Sequence, residues 1–179
     1  ETVPLPLPAA DQDALEALPD GGRLEPLIGA AAYAQVRRAL AAQGIAEPEM
    51  ARLKPWAAML KVARIAAPDD ERSLDENLFA AALGQRMRIE PLEAVAEQAV
   101  AFDMVPLDSQ VALLAHALAH RDALATLTEP AIAAWSHGDL AALAAPLGVV
   151  GDRHPEMRRH YDALAKHIVQ NRTAVFHHR

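Results

Sequence analysis

Carboxylates, one late arginine and a spaced pair of histidines are the groups in this sequence best placed to do chemistry. Glu93 is expected in the first turn of a helix, one residue after Leu92 and just beyond a short strand. A carboxylate at such a strand-to-helix corner is positioned to act as a general base or a metal ligand. The plainer reading is an acid favoured there by the positive end of the helix dipole. Arg172 stands out by periodicity, because Tyr161, Leu164 and Ile168 define an inward stripe whose next positions are Arg172 and Val175. An arginine on a core-facing stripe is costly unless a carboxylate or ligand pairs with it. Glu93 is the expected partner; otherwise the helix has ended and Arg172 complements its last carbonyls. Asp75, in the first turn after Ser73, and Gln98, at the edge of an apolar stripe, are second candidates for substrate binding or for structure.

His116 and His120 stand four apart, the spacing that lets two imidazoles share a zinc ion. The motif reads HALAH, without the glutamate of HExxH, and no third ligand is evident in the sequence. Neither histidine falls centrally on the buried face marked by Val111, Leu114 and Leu118, so both are expected on a solvated face. No residue is assigned to a metal. His177 and His178 would bind a metal only adventitiously.

The elements that carry these groups are helical. Three prolines at alternate positions make residues 1–10 an extended segment. A short helix follows over Asp11–Leu18, then a better one over Ala30–Gln43, with Tyr33, Val36 and Leu40 inward and Gly44 after its end. A helical turn near Glu47–Leu53 leads to a helix begun by Pro55, with Trp56, Met59, Leu60 and Ala63 on one side. Ser73-x-x-Glu76 is a capping-box signature, with Leu74, Leu78 and Phe79 as the buried face behind it. Arg86–Glu90 alternates polar and apolar residues, the period of a half-buried strand.

A helix from Pro91 places Leu92, Val95, Ala96, Ala99 and Val100 on one face. Leu107–Arg121, then a segment opened by Thr128-Glu129-Pro130 and closed by Gly138, a short piece over Ala141–Leu147, and a last helix from Pro155 complete the reading. The expectation is one domain spanning 1–179, mainly α, with seven to nine helices and one short strand.

Composition agrees. Of the 179 residues 52% are apolar but only 4% aromatic, and the abundant alanine and leucine are the strongest helix formers. A net charge of −7 without a basic stripe argues against nucleic acid as a partner. Without cysteine, thiolate metal sites and disulfides are excluded. No apolar run approaches the ~18 residues of a membrane span, and no signal-peptide pattern opens the sequence. The chain begins at Glu1, which leaves trimming of a longer precursor open. The nucleophile elbow, Walker loop and dinucleotide-binding glycine pattern are all missing.

Five blocks fall in the order and approximate spacing of one family: Leu53-Lys54-Pro55-Trp56, Leu74-Asp75-x-x-Leu78, Leu92-Glu93 with Gln98, Trp135-x-x-Gly138-Asp139, and Arg172. From about residue 45 to its end the chain resembles the TraB/PrgY/GumN family, which is related to the Tiki proteins, regarded as metal-dependent peptidases. There are departures. Ser73-Leu74-Asp75 stands where the family usually has Gly-Val-Asp, Leu92-Glu93-Ala94 where it has Leu-Glu-Thr, and Arg172-Thr173 where it has Arg-Asn.

The resemblance implies that this chain is the helical portion of an α/β domain. The family's two Gly-x-x-His motifs, thought to bring the metal-binding histidines, would lie on strands outside these 179 residues. Gly151-Asp152-Arg153-His154 matches that motif literally but is expected in a loop with no strand before it, and is read as coincidence.

What the resemblance implies for function is a bacterial metal-dependent hydrolase, peptidase-like, with Glu93 and Arg172 as catalytic residues. A divalent metal would belong to the full-length protein and none to this chain, and the location would be the envelope or periplasm. The alternative is a non-catalytic helical module that holds a peptide or partner protein between helices. Helices deprived of their sheet would leave an apolar surface exposed, to be covered by self-association into a homo-oligomer.

Overall fold

A computed structural model describes residues 9–64, 74–90, 93–126, 128–143, 154–170 and 173. Its α-helices are α1 (Ala9–Glu16), α2 (Glu25–Ile28), α3 (Ala30–Ala41), α4 (Glu47–Met50), α5 (Pro55–Ala63), α6 (Leu74–Gly84), α7 (Val95–Asp103), α8 (Leu107–Thr126), α9 (Thr128–Ser136) and α10 (Arg158–Ala165). A further helical turn occupies residues 140–143. A 3₁₀ turn over Pro155–Met157 leads into α10, and a π-type turn over Lys166–Gln170 leaves it. The protein is mainly α, as its alanine and leucine content predicts.

Prolines start several of these helices. Pro26, Pro48 and Pro55 each occupy the first turn of α2, α4 and α5, where a missing N–H costs nothing and the fixed φ is already helical. Gly44, with φ of +78°, turns the chain out of α3 in a conformation that a side chain would oppose.

The core forms where α3, α5 and α8 meet. α3 contributes Tyr33, Val36, Ala39 and Leu40, and α5 contributes Trp56, Ala57, Ala58 and Val62. From α8 come Leu114 and Ala117, while Leu24 and Leu53 seal the core from the connecting segments. The alanines of α5 carry no bulk, which lets α8 pack closely along it. Each large apolar side chain fully withdrawn from water here contributes about 1.5–3 kcal/mol. One antiparallel bridge, between Ala17 and Leu53, ties the end of α1 to the segment entering α5. Lys61 Nζ reinforces it with an ion pair to Glu16 at 2.8 Å.

α10 is held on α8 by polar chemistry. His160 is buried, and its Nδ1 lies 2.9 Å from the Ser109 hydroxyl, also buried. Arg159 Nε donates to His160 Nε2, which places the ring proton on Nδ1 and makes that nitrogen the donor to Ser109.

Several expectations need correction, the first being the helix count, since ten α-helices stand among the described residues where seven to nine are expected. Residues 87–90 form no strand: a strand is stabilised only by pairing, and the described residues hold no neighbouring strand for it. The helix expected from Pro91 begins at Val95; Pro91 and Leu92 lie outside the described residues. Leu74 and Leu78 were expected inward but are 64% and 59% exposed, and α6 buries none of its residues. On α5 the buried side runs through Ala57, Ala58 and Val62, leaving Leu60 exposed, because the alanines face α8. The capping serine expected at 73 lies outside the described residues.

Candidate functional site

Glu93 sits in a bend two residues ahead of α7, partly buried, and not in the helix's first turn. The N-terminal end of α7 is secured instead by Glu97, whose Oε2 accepts the Ala94 N–H at 2.6 Å. The helix-dipole explanation of Glu93 therefore weakens, since the carboxylate nearest the dipole is Glu97. Gln98 stands one turn into α7 and lines a groove of about 360 Å³ between α7, α5 and α1. Leu15, Trp56, Leu60, Ala99 and Phe102 give the groove apolar walls, and Glu16 and Gln98 supply polar points.

The Trp56 and Phe102 rings stack with centroids 5.0 Å apart and planes 16° from parallel. Asp103, at the end of α7, accepts the Trp56 indole N–H on Oδ1 and the Lys54 ammonium on Oδ2, each at 2.7 Å. One carboxylate thus fixes both polar ends of the Lys54-Pro55-Trp56 block and couples α5 to α7. This agrees with reading that block as a helix start with a packed indole. Asp103 has no prominence in the sequence, because its partners lie 47 and 49 residues away.

A second constellation joins α8 to the segment entering α10. His116, His120 and His154 are each partly buried, and a ligand nitrogen from every one lies within 4.8 Å of the others. Ring centroids are separated by 4.3 Å for His116 and His120, 4.8 Å for His116 and His154, and 4.6 Å for His120 and His154. Tyr161 of α10 meets His116 edge-on at 5.9 Å. Glu156 Oε1 lies 3.1 Å from His154 Nδ1.

Burial pushes the His116 imidazole below its usual pKa, and His120 and His154 push it the same way, against an opposing pull from Glu156. Glu156 is itself held below the ordinary carboxylate range, first by its own backbone N–H and further by His154. His154, whose Gly-x-x-His match in the sequence is read as coincidence, is the third member of this cluster. Its helical spacing signal was nil, since 34 residues separate it from His120.

Asp75 is exposed in the first turn of α6. Arg172, and with it the expected pairing to Glu93, lies outside the described residues, as do Gly151, Asp152 and Arg153. A divalent metal of the kind the family resemblance implies does not fit around Glu93 with the described residues. Glu93 offers a single carboxylate and joins no group of three donors, whereas the three histidines do form one.

Among the described residues no helix is long and apolar enough to cross a membrane. No curated protein and no solved structure matches the chain. The TraB/PrgY/gumN family model nevertheless matches residues 5–179, and the chain belongs to that family.

Proposed function

We propose that this chain is the substrate-binding helical part of a bacterial metal-dependent hydrolase, peptidase-like, whose metal-binding histidines lie on flanking strands outside it. The observation that supports the reading is the apolar groove that α7 walls with Gln98, Ala99 and Phe102, Glu93 standing in the bend two residues before that helix. An extended peptide would lay an apolar side chain against Trp56, Leu60 and Phe102. The Gln98 amide, which both donates and accepts, would bond the peptide backbone. Glu93 would take the proton from the attacking water as a general base. Arg172 would steady the resulting negative charge or hold Glu93 in place.

The test uses the full gene product and a set of fluorogenic peptides with apolar side chains. Cleavage that stops on chelation and returns with added divalent ion supports the proposal. Glu93→Gln should then lower kcat by about 10²-fold or more while KM stays within about twofold. Leu60→Asp should instead raise KM, because it spoils only the groove. Peptides that bind without being cleaved would replace the hydrolase by a helical binding module. Peptides that neither bind nor are cleaved would remove both.

A further inference from the structure

We propose that His116, His120 and His154 form a zinc-class metal site that clips the middle of α8 to the segment leading into α10. The inference stands on the histidine geometry and is independent of the hydrolase reading. His116 and His120 are one helical turn apart on α8, so their rings project from the same face. His154 closes the triangle from across the fold, with all three ligand nitrogens within 4.8 Å of one another. Tetrahedral zinc with ~2.0–2.1 Å bonds to nitrogen holds its ligands about 3.3 Å apart, so the imidazoles would draw together from their spacing of up to 4.8 Å to close the site.

The donor chemistry points to the same class of ion. Three imidazoles without thiolates suit borderline divalent ions such as zinc, copper or nickel rather than magnesium or calcium, which prefer oxygen. Glu156 completes the arrangement. Its carboxylate accepts from His154 Nδ1, leaving Nε2 as the nitrogen with a free lone pair, a carboxylate–histidine pairing that orients metal ligands elsewhere. Three ligands leave a fourth position for water or a further group. The buried Ser109–His160 bond fixes α10 on α8, so His154, six residues earlier, approaches the pair from a docked segment.

The experiment titrates zinc chloride into untagged, chelator-stripped protein by calorimetry, with metal content read by elemental analysis after gel filtration. One ion per chain is expected. His116→Ala, His120→Ala and His154→Ala should each weaken binding by more than about tenfold, and Glu156→Gln by about tenfold. His137→Ala, and a double replacement of His177 and His178 by alanine, should leave binding unchanged. Where a variant loses its circular-dichroism signal, imidazole ¹⁵N shifts of the wild-type protein read the same rings without mutation, and zinc should move those of His116, His120 and His154. An absence of binding, binding that survives His154→Ala, or shifts confined to other histidines would overturn the site. None of these results touches the cleavage test with Glu93→Gln.

Discussion

Asp103 and Tyr33 show how single polar groups set the stability of an otherwise aliphatic core. The Trp56 indole is 5% exposed, so its N–H depends on Asp103 for a partner. Asp103→Ala should therefore cost about 1–3 kcal/mol, the penalty of leaving such a donor unpaired. Asp103→Asn keeps an acceptor for the indole and should recover most of that loss. Urea unfolding measures both, and because Trp135 is 69% exposed, the blue-shifted part of the fluorescence reports on Trp56. An Asp103→Ala protein as stable as wild type would show that the indole bond contributes nothing.

Tyr33 gives a pH signature. Its pKa is pushed up to about 12, first by burial and then by the 2.7 Å bond its hydroxyl donates to Glu47. The folded pKa exceeds the unfolded value of 10.0, so the stabilisation is complete below pH 10 and is lost as pH climbs from there to about 12. Tyr33→Phe should cost about 0.5–1.5 kcal/mol at neutral pH. Its stability should also fall less steeply than that of wild type across the alkaline window, measured as denaturant midpoints at a series of pH values.

Helices were legible in the sequence to the extent that local rules govern them. The inward set Tyr33, Val36 and Leu40 on α3 follows from a 3.6-residue period, and the start of α5 follows from Pro55. Leu114 of α8 is likewise buried as its spacing implies. Errors arose where partners decide. An apolar stripe says only that a face would gain by burial, and Val100 of α7, 54% exposed, meets no cover despite its place on such a stripe. Alternation in residues 86–90 likewise resembles a strand, but pairing depends on a second segment that the local sequence cannot report. The chemistry was legible in halves. The i, i+4 spacing of His116 and His120 is a helix property, whereas His154 joins them only through the docking of α10 on α8. Glu93 stands out in the sequence by its block, but its seat in a bend, with Glu97 taking the cap, is not readable there.

Across the whole molecule, burial divides the helices into two classes. α3, α5 and α8 share Val36, Leu40, Ala58, Val62 and Leu114, each at most 1% exposed, so opening any of them exposes the common core. α6 buries no residue, so its hydrogen bonds gain little from apolar burial. An isolated helix of 11 residues falls short of the ~12–15 at which helices become even marginally stable in water. Amide exchange should therefore separate them. Protons of α5 and the middle of α8 should exchange only on global unfolding and slow further when the protein is stabilised, whereas those of α6 should exchange through local opening with little protection. The apolar side chains of α6, including Leu74, Leu78 and Leu83, stand in water in this fold. Exchange measured at two protein concentrations then distinguishes a helix that works alone from one that another surface covers. Protection of α6 that matches α5, and grows with concentration, would mean that self-association supplies the burial the single chain lacks. Weak protection at both concentrations would mark α6 as a local unit whose apolar face stays open in the isolated chain.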